Sequence, residues 1–407
     1  MRHRGIDANA PPLDHKVCSA ADNAGGGGLA CGVADARDVN FEPRRAWLLA
    51  NPRAGRGVAS DAVRAIAARL RERHVALDVD TRHPADAPPP TSRPDVAIVV
   101  GGDGTLRAAV DRLMRLYGDG VPAVLPVPIG TANLMGQHLG LRRTVAHIAA
   151  DGVRQVAGDL LGDRRRPAER AAMRLAHRLG PTARRLGRRG LRLGRRVVLP
   201  GRRELCAAIA RRTTATLERG EARLLDVGQI DGGGVFLLMA GVGFDAHVVA
   251  ELDRRRTGPI GLASYAMPAL SAMLGGAFAP IAVEVDGRRV FGPTPGLVMV
   301  ANVSEYGTGF PVVPHARSDD GQLDVVCLPC RHAGELVKLF ASAAAGWHVG
   351  GPGVVSALGV DVSVTTPAER RVDVQVDGDP GGVLPLRARV LPAAVPFVSL
   401  TPPVATG

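Results

Sequence analysis

An α/β domain built on a parallel sheet, followed by an antiparallel β-sandwich, is the fold this sequence predicts, and three observations carry the prediction. Between residues 46 and 141, apolar runs rich in β-branched residues alternate with helix-like stretches, the pattern of strand–helix–strand units. Several of those runs stop at a glycine-rich turn before a helical pattern restarts. From about residue 219 to 386 the chain reads as short apolar strands separated by Gly, Pro and Asp turns, as two packed antiparallel sheets require.

The elements follow in order. Residues 1–45 hold four consecutive glycines at 25–28, many small polar residues and no periodic apolar pattern, and are expected to form a disordered tail. A strand at 46–50 (AWLLA) runs into the loop Asn51-Pro52-Arg53-Ala54-Gly55-Arg56-Gly57 and a helix over about 60–73. Strands at 76–80 and 96–100 continue this first domain, expected to span 46–141. The strand at 96–100 ends in GGDGT (Gly101, Gly102, Asp103, Gly104, Thr105), with Arg107 two residues on. A further apolar run ends in PVPIGTANLMGQHLGL, which places Gly130, Thr131 and Asn133 in its turn. An arginine-rich insertion is expected at 142–204, and the next helix fits best at 205–219. Strands at 235–240, 281–285, 297–301, 324–328, 360–365 and 372–376 make up a second domain, 205–386. The last segment, 387–407, is expected to return to the first domain through a strand at about 396–400.

The glycine-rich turns carry the chemistry. An apolar strand lifts the chain to the sheet edge, glycines let the backbone approach an oxyanion, and the next helix offers unpaired N–H groups and its positive dipole end. In a parallel sheet such turns converge outside the carboxyl ends of the strands. Asp103 inside one of them would repel a bare phosphate but suits a nucleotide that carries Mg²⁺.

Composition narrows the setting. A chain of 407 residues, 46% hydrophobic and 22% charged, has room for two globular domains. No continuous apolar core follows Arg2 and Arg4, so a secretory signal is not expected and the protein is placed in the cytoplasm. The uncharged stretch at 257–283 is interrupted by Pro259, Pro268, Gly275, Gly276 and Pro280, and reads as a buried helix with flanking loops, not a membrane span. Cys327-Leu-Pro-Cys330 has redox spacing but lacks a thioredoxin-like context, and no second pair completes a zinc site. The net charge of +12 is local. Between residues 164 and 212, seventeen arginines face only Glu169 and Glu204, so the rest of the chain is net acidic. This insertion reads as a solvated surface excursion or as an attachment to an anionic membrane surface. It lacks interleaved aromatics and any reading motif, so no specific nucleic-acid partner is expected.

At these motifs the chain resembles the diacylglycerol kinase catalytic-domain family, which includes bacterial lipid kinases and sphingosine kinases. NPRAGRG is similar to that family's NPxSGxG loop, GGDGT matches its signature, and GTANL is similar to its GTxND loop, with Leu134 in place of the acid. LLDVG at 224–228, AGVGFDAHV at 240–248, SDDGQLD at 318–324 and VDGD at 376–379 follow in family order. The resemblance covers about 46–400, with the insertion as its interruption.

What the resemblance implies is a two-domain lipid kinase that moves the γ-phosphate of ATP, with Mg²⁺, to a hydroxyl of a membrane lipid, diacylglycerol-like as first choice. Asn51, Gly55, the loop Gly101, Gly102, Asp103, Gly104, Thr105 and Arg107, and the turn Gly130, Thr131 and Asn133 would hold the nucleotide, with Thr81 near the adenine. Asp103 would act through Mg²⁺ on the phosphates. Asp379 matches the family's catalytic carboxylate, where most relatives carry Glu, a reach longer by about 1.5 Å. The same VDGDPGG string is also competent as a hairpin turn. Asp319 and Asp324, with the backbone carbonyl of Gln322, would hold a structural Mg²⁺, a polar turn being the alternative. Asp226 and Asp245 stand where the family places acids facing the cleft, or cap turns. The competing functions are an NAD-kinase-like enzyme with a soluble substrate and a non-catalytic sensor of lipid or nucleotide. Peripheral association with the inner membrane face is expected of the arginine-rich insertion, and a homodimer is compatible with the sequence.

Overall fold

In a computed structural model of the chain, the residues described are 43–52, 54, 58–130, 132–141, 201–254, 278–306, 310–344, 351–367 and 371–400. Gly55, Thr131, residues 1–42 and nearly all of the arginine-rich insertion lie outside them.

The first third is a parallel sheet. Strands β1 (Arg45–Ala50), β2 (Ala76–Asp80), β3 (Val96–Gly101) and β4 (Ala123–Pro128) lie in the order β4-β3-β1-β2. Every residue of β3 and β4 is buried, as expected of strands covered on both faces. Helices α1 (Ala59–Arg71) and α2 (Asp103–Tyr117) run between them, and the short α3 (Leu134–His138) follows β4. Helix α1 buries Ala59, Ala62, Val63, Ile66, Ala67 and Leu70, a single apolar stripe. Helix α2 buries Thr105, Leu106, Ala109, Val110 and Leu113 and stops at Gly118, whose φ of +54° suits glycine.

The helix after the insertion, α4 (Arg202–Arg219), begins three residues before the expected 205. The extra turn has partners: Glu204 Oε2 accepts the Gly201 N–H at 2.9 Å, and Arg202 pairs with Asp61 of α1. Arg69 of α1 donates to Thr214 at 3.1 Å, so α1 and α4 form a packed pair.

The remainder is antiparallel. It contains β5 (Glu221–Ile230), β6 (Val235–Phe236), β7 (Met239–Val242), α5 (Phe244–Arg254), β8 (Pro280–Val285), β9 (Arg288–Ala301), β10 (Glu305–Tyr306), β11 (Phe310–Pro311) and β12 (Leu323–Pro329). There follow α6 (Ala333–Ala344), β13 (Val355–Gly359), β14 (Asp361–Thr365), β15 (Asp373–Val376), β16 (Asp379–Val383) and β17 (Leu386–Ser399). Strand β9 starts well before the expected 297 and serves two layers. Its first half pairs with β8 and its second half with β7 and β12. The crossing lies near Gly292 (φ +75°), where a Cβ would come within 1.9 Å of the Ile281 carbonyl oxygen. Between the layers sit Phe236, Val242, Ile281, Val283, Val300, Val325, Val364 and Val374, all buried.

The expected single strand at 235–240 is instead two. It breaks at Leu237 and Leu238 because the N–H groups there point at the carboxylate of Asp377 instead of a strand. Strand β17 joins the halves: it pairs with β14 and β5, shifts register between Leu391 and Val395, and then sets Phe397 beside Val124 of β4 in parallel. The parallel strands and the sandwich therefore share one hydrogen-bonded sheet. Cys327 and Cys330 are buried, and burial pushes their thiols up to about 12 and about 11, which leaves neither as a reactive thiolate at neutral pH. Among the described residues no helix is long and apolar enough to cross a membrane.

Candidate active site at the carboxyl rim of the parallel sheet

Strand β1 lies between β3 and β2, so the chain leaves β1 toward one side for β2 and returns on its other side for β3. Such a reversal opens a crevice beyond the carboxyl ends of the two strands. Asn51 after β1, Gly101 at the end of β3 with Gly102 after it, Gly130 after β4 and Thr81 after β2 all stand on that rim.

Each described glycine of the rim clears one neighbour. A Cβ on Gly101 would meet the side chain of Thr105 at 2.5 Å, and one on Gly130 would meet Gly102 Cα at 2.6 Å. The turns after β3 and β4 thus touch backbone to backbone, and the Ile129 N–H donates to the Gly101 carbonyl at 3.0 Å. Asn133 sustains this contact. It adopts a left-handed φ of +53°, and its amide exchanges two hydrogen bonds with the backbone of Gly130, at 2.9 and 2.8 Å. Its side chain thereby shapes the turn.

Asp103 opens α2 but its carboxylate faces α3. The backbone N–H groups of Leu134 and Met135 donate to its two oxygens at 3.1 Å each. Burial pushes this carboxyl up, while the N–H groups of Leu134, Met135 and Asn133 pull it back down. Asp103 therefore clamps the two glycine turns together. Asn51 accepts the Ala54 N–H at 2.9 Å, and Thr81 is exposed beside the Asp80–Arg82 ion pair. That pair holds the Asp80 carboxyl below its ordinary range.

From the other half of the chain, the β15–β16 hairpin reaches the same rim. Its two turn residues are Asp377 and Gly378, both with positive φ, so Asp379 is not in the turn but begins β16 opposite Val376. Asp379 lies against Gly104: a Cβ there would come within 2.8 Å of Asp379 Oδ2. Arg107 Nη2 donates to the same oxygen at 2.9 Å. The hairpin is pinned by Asp377, which accepts the N–H groups of Leu237, Leu238 and Met239 at 2.8 to 3.0 Å. Burial pushes the Asp377 carboxyl up to about 6. Gln375, wholly buried, accepts the Gly378 N–H at 2.8 Å and braces the turn from inside. Neither Asp377 nor Gln375 stood out in the sequence; the Asp-Gly pair of a tight hairpin was the available signal.

This rim fits an anion. The fifteen-residue α2 has Gly102 at its N-cap and no side-chain cap there, which leaves its positive dipole end at the rim. Arg107 adds a cation whose Nε is buried and has no acceptor among the described residues.

The acidic turn at 319–324 is different. Asp319 is held by Arg223 at 2.8 Å and by Arg317 at 3.2 Å. The Gln322 N–H donates to Asp320 at 3.1 Å, and Asp226 accepts the N–H groups of Gly321 and Ala393, both at 2.7 Å. Asp324 is buried with Oδ2 unpartnered, and burial, reinforced by Asp320, pushes its carboxyl up to about 6. A cation held by Asp319, Gln322 and Asp324 would have to displace two guanidinium groups from Asp319, so the set as arranged does not fit Mg²⁺. Among the described residues no group of three His, Cys, Asp or Glu side chains is gathered for a metal.

Comparison with known proteins agrees with this architecture. The family model of the diacylglycerol kinase catalytic domain matches residues 45–159, and that of the YegS C-terminal NAD kinase beta sandwich-like domain matches residues 239–399. The diacylglycerol kinase of Bacillus subtilis (strain 168) is 21% identical over 291 residues, 72% of this chain and 73% of its own length. That of Mycobacterium tuberculosis (strain H37Rv) is 28% identical over 180 residues, 43% of this chain and 57% of its own. A protein of Pseudomonas fluorescens named as a YegS-like lipid kinase is 32% identical over 180 residues, 41% of this chain and 55% of its own. The match thus spans little more than half the length of these last two relatives. A solved diacylglycerol kinase structure from Bacillus anthracis (strain Sterne) covers 88% of this chain and 98% of its own, with a TM-score of 0.53 at 19% identity. A second structure from that organism reaches 0.57 at 18% identity over 91% of this chain and 99% of its own. At such identities the likeness is one of fold.

Proposed function

The chain belongs to the diacylglycerol kinase catalytic-domain family, and from that premise we propose that it is a lipid kinase that transfers the γ-phosphoryl group of MgATP to a hydroxyl of a membrane lipid, diacylglycerol-like as first choice. The observation that carries this reading is the meeting of Asp379 with Gly104 across the rim, beside Arg107.

Phosphoryl transfer needs positioning and charge neutralisation more than covalent chemistry. The first N–H groups of α2 and the backbone of the glycine turns receive the phosphates, and Asp103 keeps those turns in register instead of reaching outward. Asp379, partly exposed, is the base. The lipid hydroxyl oxygen bonds to the γ-phosphorus, its proton passes to the Asp379 carboxylate, and the bond from the γ-phosphorus to the bridging oxygen breaks to release ADP. A general base in this role contributes about 10²- to 10⁴-fold. The lipid reaches the rim from a membrane surface, and the arginine-rich insertion supplies attraction to anionic headgroups at the inner face.

Purified protein incubated with γ-labelled MgATP and total bacterial lipid is expected to label a lipid that co-migrates with phosphatidic acid, and Asp103→Ala is expected to abolish labelling. Activity that survives Asp103→Ala contradicts the role assigned to the clamp. Label appearing on NAD instead of on lipid would favour the soluble-substrate enzyme, which the match to the diacylglycerol kinase catalytic domain disfavours. Nucleotide binding without turnover on any acceptor would favour a sensor.

A further inference from the structure

Arg107 is placed to do more than attract phosphate. It stands on α2, three residues after Gly104, and its side chain is three-quarters buried. Nη2 is committed to Asp379 Oδ2 at 2.9 Å, across 272 positions of sequence. Nε is buried and has no acceptor among the described residues. A buried guanidinium N–H without an acceptor is costly in a folded protein, and a phosphate oxygen arriving at this rim would relieve that cost. The guanidinium is planar and its donors diverge in one plane, so one such group can hold a carboxylate with one edge and a phosphate oxygen with another. The glycine at 104 leaves the space in which Asp379 meets this plane.

We propose that Arg107 is the positioning residue that couples the base to the nucleotide: Nη2 fixes the Asp379 carboxylate above Gly104 while Nε donates to an oxygen of the transferring phosphate. The inference rests on the kinase reading above. Its consequence is that Arg107 sets turnover as well as nucleotide affinity. A side chain that served only to attract ATP would set affinity alone, and one that served only the fold would set stability alone.

The test is steady-state kinetics of the full chain with MgATP and diacylglycerol in mixed micelles, for wild type, Arg107→Met, Arg107→Lys and Asp379→Asn, with thermal midpoints measured in parallel. Arg107→Met is expected to lower kcat by about 10- to 100-fold, the range that a displacement of about 1 Å brings, and to raise KM for ATP several-fold. Lysine keeps a point charge but loses the planar fork. Arg107→Lys is therefore expected to recover KM for ATP more fully than kcat. Asp379→Asn is expected to lower kcat with KM for ATP unchanged. An Arg107→Met enzyme with kcat within about twofold of wild type overturns the proposal; should that variant not fold, an Arg107→Lys enzyme with wild-type kcat overturns it equally. A wild type with no turnover on any lipid overturns the kinase reading and this inference with it, whereas an active wild type with an effect on KM alone overturns only the coupling.

Discussion

Two carboxylates flank Gly104, and they are held in opposite ways. Asp103 is local to the rim: its oxygens accept backbone N–H groups from α3, burial raises its carboxyl, and the contacts join one glycine turn to the other. Asp379 comes from the far half of the chain and stays 42% exposed, with Arg107 as its ion-pair partner among the described residues. A carboxylate satisfied by main-chain donors is an architectural part, because removing it leaves several N–H groups without a partner. A partly exposed carboxylate held by one arginine keeps lone pairs for a further donor. Sequence resemblance groups the two as catalytic; their surroundings differ, and the roles proposed for them, frame and base, follow that difference.

The sharpest way to break that comparison is to neutralise each acid with little change of shape. Asp379→Asn is expected to cut turnover by about 10²- to 10⁴-fold, with the unfolding free energy and nucleotide affinity unchanged. Asp103→Asn is expected to cost about 1–3 kcal/mol of stability and to weaken nucleotide binding, because one of its two acceptor oxygens becomes a donor facing an N–H. Denaturant unfolding and calorimetric titration with a non-hydrolysable nucleotide read both. Equal effects in the two variants would erase the distinction.

Next come two glycines with the same missing Cβ and different neighbours. In Gly104→Ala the new methyl meets the end of the Asp379 side chain, 2.8 Å away, which can swing aside. Turnover is expected to fall by about 100-fold with little change in thermal midpoint. In Gly130→Ala the methyl meets Gly102 Cα at 2.6 Å, which is backbone and cannot yield without parting the turns. That variant is expected to lose about 1–3 kcal/mol of stability. A Gly104→Ala enzyme with wild-type turnover would remove Asp379 from the chemistry.

The smallest expected effect sharpens the account of the hairpin. Asp377 has its carboxyl raised to about 6 in the folded chain against 3.8 as an ordinary carboxylate. Between those values the folded state holds a proton that the unfolded state has released, so this contribution to stability is full below the lower value and is lost as pH rises through the upper one. Asn at 377 cannot titrate. The stability of wild type minus that of Asp377→Asn is therefore expected to decline across about pH 4 to 6 and then level off, as followed by urea unfolding. A difference that grows with pH would mean that the three N–H groups outweigh burial.

Much of the parallel half was legible from residues close in sequence. VAIVVG announces a buried strand, the glycines announce close approach, and the apolar stripe of α1 announces a covered face. What could not be read are contacts made across the chain. Nothing local indicates that Arg107 meets Asp379, that Arg223 and Arg317 occupy Asp319, or that Asp377 draws the N–H groups of Leu237 and Leu238 out of a strand. The role of Asn133 was similarly hidden, because its left-handed backbone and paired bonds to Gly130 appear only once the turn is closed. The two-domain description followed from a change of pattern along the chain, while the sheet shared through β17 depends on Phe397 lying beside Val124.

The most direct measurement is a crystal structure of the full chain at saturating concentration of a non-hydrolysable MgATP analogue. The account predicts phosphate oxygens against the N–H groups that open α2, with one of them within hydrogen-bonding distance of Arg107 Nε and Asp379 still above Gly104. A rim empty of nucleotide, or a triphosphate seated away from the turns after β3 and β4, would contradict it.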